Sequence, residues 1–253
     1  MVVYSFLSNQ TTKMIYKKLL SALIILIIAN PLLAQKTSQD VSFSTAFGSG
    51  QVSITTQYQY LWKLGKKHKF SIGTGARLTN NFGNLTYYIT APAKLTSGKT
   101  GPAVFFADQI NANLDSVYFK KSQVNALNIT VNFAYDITPK IKVGFNIDAI
   151  GFSFGGSKQG SYFPNAGLLP STVSAKPTGF NLLLVSDNDL GTLNSEFYGQ
   201  YAIDKHWGAK LGFQFLFTEY TTSTKVQTTP SGLKNDRFRN KAGQISIGAS
   251  YQF

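Results

Sequence analysis

The chain has 253 residues, a formal net charge of +13 from 24 Lys and Arg against 11 Asp and Glu, two histidines and no cysteine. The missing cysteine excludes a disulfide framework, a thiolate metal site and a lipid-modified N-terminal Cys. Charged residues are 14% of the chain, against roughly 25% in a soluble domain, while Phe and Tyr number 20 and 13, a balance suited to a protein solvated partly by lipid.

The basic residues gather no further than in pairs, Lys17-Lys18, Lys66-Lys67 and Lys120-Lys121. Nucleic acid is therefore not an expected partner, because such sites need a clustered stripe of charge. Anionic lipid headgroups, or lipopolysaccharide phosphate, fit the scattered charge better.

The first element is an export segment. Lys17 and Lys18 precede the apolar run Leu19 to Ala29, then Asn30-Pro31 and Leu32-Leu33-Ala34 before Gln35. A basic start, a short apolar centre and a small residue before the cut describe a secretory signal peptide cleaved after Ala34, with Met14 as the expected start. A retained anchor helix is the alternative, disfavoured by the shortness of the run. The expected organisation is a removed segment 1–34 and one domain over 35–253.

From there the sequence alternates. Val41, Phe43, Thr45 and Phe47 oppose Ser42, Ser44 and Ala46, and Gly48-Ser49-Gly50 is a turn signal. Segment 51–64 sets Val52, Ile54, Tyr58, Tyr60, Trp62 and Leu64 against Ser53, Thr55, Gln57 and Gln59. Segment 70–80 sets Phe70, Ile72, Ala76 and Leu78 against Ser71, Gly73, Gly75, Arg77 and Thr79. Segment 123–137 sets Leu127, Ile129, Val131, Phe133 and Tyr135 against Asn128, Thr130, Asn132 and Ala134. Ile141, Val143, Phe145 and Ile147 oppose Lys142, Gly144, Asn146 and Asp148. Segment 193–203 is weaker, with Phe197 and Tyr201 against Glu196 and Gln200. Trp207, Ala209, Leu211, Phe213, Phe215 and Phe217 oppose Lys210, Gly212 and Gln214, and the last strand sets Ile245, Ile247, Ala249, Tyr251 and Phe253 against Gln244, Ser246, Gly248, Ser250 and Gln252. Successive side chains of a strand point to opposite faces, so each segment has one oily and one polar face.

The connections alternate in size. Gly65–Lys69, Thr138–Lys140 and Asp204–His206 are short; 81–122, 155–190 and 220–240 are long. Aromatic residues gather near the short turns and chain end (Tyr60, Trp62, Tyr135, Tyr201, Trp207, Tyr251, Phe253) and again at the opposite strand ends (Phe152, Phe154, Phe217). Two such belts suit the two water–lipid interfaces of a transmembrane barrel. The expected fold is all-β: a closed antiparallel up-and-down transmembrane β-barrel of eight strands, or ten if Gly179–Ser186 joins the sheet. A soluble sandwich is the competing architecture.

The export segment, the meander, the long loops and the terminal Ser246-Ile247-Gly248-Ala249-Ser250-Tyr251-Gln252-Phe253 resemble the outer-membrane β-barrel (porin-like) superfamily. The resemblance implies a bacterial outer-membrane location, external long loops and a C-terminal strand presented to the barrel-assembly machinery. It gives no activity, since architecture does not fix function.

Arg77, Asp148 and Glu196 fall on the polar face at matching distances from their turns, with Lys210 lower, which predicts a charge cluster inside the ring. A narrow ring makes this a structural plug, because an enclosed charge needs a partner; a constriction controlling ion passage is the sharper alternative. His68 and His206 both fall in short turns, far from the outer face where barrel enzymes resembling this architecture work. No catalytic residue, cofactor or metal site is therefore expected. The leading expectation is a structural or surface-interaction role through the long loops. A narrow channel for small or apolar solutes comes second, and a lipid-acting enzyme third. The external ligand is not readable from the sequence.

Overall fold

A computed structural model describes residues 36–165 and 167–253, so the expected export segment 1–34 lies outside the described residues. Thirteen strands follow in order: β1 Thr37–Gly48, β2 Gln51–Leu64, β3 Phe70–Thr90, β4 Ser116–Asp136, β5 Ile141–Phe154, β6 Lys158–Phe163, β7 Ser171–Pro177, β8 Phe180–Leu182, β9 Leu193–Ala202, β10 Trp207–Thr222, β11 Gln227–Thr228, β12 Lys234–Asn235 and β13 Arg237–Gln252. All pairings are antiparallel, and all but the small β11–β12 hairpin belong to one eleven-stranded sheet.

The pairings of the long strands return to their start: β1 to β2, β3, β4, β5, β9, β10, β13 and back to β1. That cycle of eight leaves no free sheet edge, which satisfies every ladder internally. The three short turns lie at one end. At Gly65–Lys69 the backbone reverses through positive φ at Gly65 and His68. At Asp204–His206 the backbone N–H groups of Trp207 and His206 donate to Asp204 Oδ1, both at 2.8 Å. These two donors hold the Asp204 carboxyl below its ordinary range.

Strands β3 and β4 are 21 residues each, twice what a membrane crossing needs. Alternation alone assigns 81–122 to a loop; the strands instead continue, and the connection shrinks to 91–115. The same holds for 155–190, which contains β6, β7 and β8, and for 220–240, which β10 and β13 enter from both sides. Gly179–Ser186 contributes only Phe180–Leu182, which pairs with Ile150–Phe152 of β5.

Above the β1–β2 turn the wall narrows. Phe238 and Arg239 of β13 meet Thr90 and Ile89 of β3, while β6 and β7 join β4 to β10. A second cycle results, β3–β4–β6–β7–β10–β13, with six strands. We call this upper part the head. Two segments invert their faces on entering it: Asn84 and Leu85 on β3, and Lys120 and Lys121 on β4, put two consecutive residues outward. Below, Arg77, Asn128 and Asn132 face inward; above, Tyr88, Val117 and Phe119 do.

The head therefore has an ordinary apolar core: Tyr88, Val117, Phe119, Val124, Tyr162, Val173, Ala175, Tyr220 and Phe238. The rings of Tyr88, Phe119 and Tyr220 lie 4.7–5.4 Å apart, and Tyr162 packs 6.0 Å from Phe238. Its rim is pinned by Asp115, which accepts from the Tyr162 hydroxyl and from the Asn165 backbone N–H. Burial, then the hydrogen bond and charge of Asp115, raise the Tyr162 phenol above its ordinary value of 10.0. A raised pKa means the folded head favours the neutral phenol. That stabilisation is complete below pH 10.0 and is lost as pH rises toward the higher folded value. Head opening, followed by limited proteolysis against pH, should therefore set in at alkaline pH together with tyrosinate absorbance. In Tyr162→Phe the alkaline component from this residue should vanish, although neutral stability falls by about 1 kcal/mol for the lost hydrogen bond. An unchanged alkaline profile would count against this linkage.

Candidate functional site: the ring interior and its two ends

The outward face of the lower ring is oily and exposed: Phe43 (55%), Ile129 (50%), Phe213 (44%) and Ile247 (62%). The inward face is polar and shut away, with Gln57, Asn132, Asn146, Gln214 and Ser246 all buried. This is the reverse of a soluble sandwich, whose oily face would be the dry one.

The four charged residues singled out from the sequence, Arg77, Asp148, Glu196 and Lys210, are all buried in this interior. They form two pairs rather than one cluster. Arg77 Nη2 lies 2.6 Å from Asp148 Oδ1, and Arg77 Nε donates to the same oxygen at 2.8 Å. Asp148 Oδ2 accepts from Asn128 Nδ2 (2.7 Å) and the Asn194 backbone N–H (2.8 Å). Arg77 Nη2 also donates to the Asn194 carbonyl. One tier nearer the short turns, Lys210 Nζ lies 2.7 Å from Glu196 Oε2. Glu196 accepts further from Asn146, Gln214 and Ser246 at 3.0–3.3 Å. Lys210 also stands 4.4 Å over the Tyr198 ring. That ring fits because residue 144 is glycine: a Cβ there would stand 2.4 Å from Tyr198 Cζ. Dense partnering is what lets charges stay inside at all, since desolvation alone is costly.

The register explains the tiers. Asp148 is opposite Thr130, but Ile150 is opposite Ile129, so Ala149 is an extra residue. Asp148 keeps the inward parity of Asn146, which is opposite Glu196 one step lower, and the bulge above it turns Gly151 and Ser153 inward, Gly151 opposite the Asn128 that pairs with Arg77. The two ends of the next connection reach this tier: Asn181 Nδ2 donates to Asn128 Oδ1 at 2.8 Å, and the Thr192 carbonyl accepts from Asn128 Nδ2 at 3.1 Å. Above these polar tiers comes the aromatic core of the head. Below them the interior opens into a bowl of about 590 Å³ among the short turns, lined by Lys63, Lys67, Lys69, Lys140 and Lys142 with Asp136.

Tyr60, Trp62, Tyr135, Tyr201, Trp207, Tyr251 and Phe253 all stand at the short-turn end on the outward face, none of them buried. Tyr60 packs edge-on to Trp62 at 5.2 Å, and Tyr251 touches both Trp207 (5.1 Å) and Phe253 (5.4 Å). Phe47, Phe82, Phe152 and Phe154 form the matching exposed band at the other end.

One charged group is not legible in the alternation. Buried Glu219 takes Arg237 Nε at 2.7 Å and Arg239 Nη2 at 2.8 Å, and both guanidinium groups also donate to the Asp189 carbonyl. The available signal is Arg237-Phe238-Arg239: period two, with a charge on each side of a core aromatic. The cluster ties 183–192 to the outside of β10 and β13. Asn188 links that loop to Gly101 by two hydrogen bonds of 3.3 Å. His68 and His206 stay in the short turns, and among the described residues no group of three His, Cys, Asp or Glu could hold a metal.

No protein-family model and no curated protein sequence matches this chain. In structure it is similar to outer-membrane β-barrel proteins. Neisserial surface protein A gives a TM-score of 0.34 at 8% identity, covering 86% of this chain and 96% of that one. The outer membrane protein Ail of Yersinia pestis gives 0.34 at 10%, covering 86% and 100%. A major outer membrane protein from Thermus thermophilus gives 0.34 at 13%, again covering 86% and 100%.

Proposed function

We propose that this chain is an integral protein of a bacterial outer membrane: an eight-stranded transmembrane β-barrel, plugged by its own side chains, that displays a β-structured head for surface interaction. The carrying observation is the inversion of the interior, polar and ion-paired under the oily outer band, apolar above it. An oily outside around a polar inside is the arrangement that hydrocarbon demands. A head with an apolar inside is built for water. Aromatic bands at both ends of the lower ring support the same placement, with the short turns toward the periplasm.

The head supports surface interaction as the working role. Phe106 (93% exposed) stands in the connection 91–115 and Leu169 (90% exposed) between β6 and β7, and exposed apolar side chains on a surface connection favour contact with a partner. β13, the last strand, is the segment the assembly machinery would receive. We assign no catalytic role, as both histidines sit at the periplasmic end.

Planar-bilayer recording tests the plug. The purified protein should give no steady unit conductance, and Arg77→Ala should open none, because the aromatic core still closes the path. A stable, ion-selective conductance in the wild type would favour a channel instead.

A further inference from the structure

The step from eight strands to six leaves a ledge on the outer wall. Gly50, at φ +66°, closes the β1–β2 turn, and above it β3 leans across to reach β13. Beside this turn is a recess of about 640 Å³, with Phe47, Val52 and Phe82 below and Gly83, Lys121 and Lys158 above. Phe47 is opposite Val52, and Val52 is opposite Phe82, so the floor is one row across three strands. All three are exposed, continuous with the oily band. Lys121 is opposite Asn84, at the place where β4 puts two lysines outward in succession. Neither Lys121 nor Lys158 has an acidic partner among the described residues.

We propose that this ledge is a binding site for a phosphorylated, acylated glycolipid of the outer leaflet. The inference rests on the membrane placement given above. Phosphate oxygens meet Lys121 and Lys158, and an acyl chain runs down the row of Phe47, Val52 and Phe82. The chemistry favours an amphiphile over a protein partner: the apolar floor opens downward into the hydrocarbon band, and the cations stand only at its upper rim. Lysine stems lie along apolar surface while their ammonium groups reach the headgroup level. The narrowing of the wall supplies the depth that a flat barrel face lacks.

The test is lipid binding followed by native mass spectrometry, using the full protein in detergent and diphosphorylated lipid A as the probe. One saturable lipid A per protein is expected. Lys121→Gln with Lys158→Gln should weaken it by about 30-fold, the effect of two lysines near an anionic surface. Dephosphorylated lipid A should bind the wild type equally weakly. Val52→Trp, which fills the floor and leaves both lysines, should also reduce binding. Undiminished binding by the double lysine variant, or equal binding of phosphatidylglycerol, overturns the proposal. Heat-modifiable migration of each variant reports barrel insertion separately. Inserted protein with lysine-independent binding sinks the ledge alone, whereas protein that fails to insert in lipid sinks the membrane placement.

Discussion

Arg77→Ala should lower the stability of the folded ring by about 3–5 kcal/mol, because it leaves Asp148 buried and uncompensated. Asp148 keeps hydrogen bonds from Asn128 and Asn194 in that variant, but loses the guanidinium that makes both of its contacts with positive charge. The Asn194 carbonyl also loses a donor. Arg77→Leu combined with Asp148→Leu removes the charge and its counter-charge together, and its cost should be well below that of Arg77→Ala. Urea unfolding of the lipid-reconstituted protein, run as a double-mutant cycle, measures the coupling. A double variant that costs the sum of its two single substitutions would show that the pair is not acting as a unit. Lys210 and Glu196 form a separate tier, so this pair should keep its own stabilising effect in the Arg77 variants.

Phe119→Ala should open the head without opening the ring beneath it. Phe119 is fully buried and packs 5.4 Å from Tyr88 and 4.7 Å from Tyr220. It also lies so close to β6 that a Cβ on Gly160 would come within 2.7 Å of its ring. Truncating a buried Phe costs about 3–5 kcal/mol through lost transfer energy and a cavity. The head has few such anchors, while the lower ring contains none of them, so the loss falls on one cooperative unit. Protease should cut the variant within 91–115 or 155–190, and heat-modifiable migration of the barrel should persist. Loss of both together would mean that head and ring fold as one.

The lower ring was legible in the sequence because its two faces differ sharply. Ile129, Val131 and Phe133 against Asn128, Thr130 and Asn132 admit one strand orientation once the lipid side is chosen. Counting residues from the short turns also brings Arg77 and Asp148 to one level, without showing that Glu196 pairs with Lys210 in a tier of its own. The register of β5 on β9 explains why: Glu196 is opposite Asn146, one inward step below Asp148, and periodicity alone does not show how two neighbouring turns are staggered. The head was hidden for a different reason. Thr86-Tyr87-Tyr88-Ile89 has bulky residues on both faces, and the doubled Lys120-Lys121 breaks the alternation at the point where the interior changes from polar to apolar. A segment that inverts its faces reads as a loop when one period is assumed throughout. Glu219 was missed for a related reason: it lies on the outward parity, where a carboxylate reads as solvated, and only the folding of 183–192 over it makes it buried.

Which face of the ring meets hydrocarbon decides the membrane placement. Spin labels placed singly at Ile129, Phe213 and Ile247, and at Asn132 and Gln214, can be read in lipid nanodiscs by collision with oxygen and with a water-soluble nickel chelate. Oxygen should dominate at the first three positions, and both reagents should be excluded at the last two. Nickel dominating at Phe213 and Ile247 would contradict the membrane placement and the function built on it.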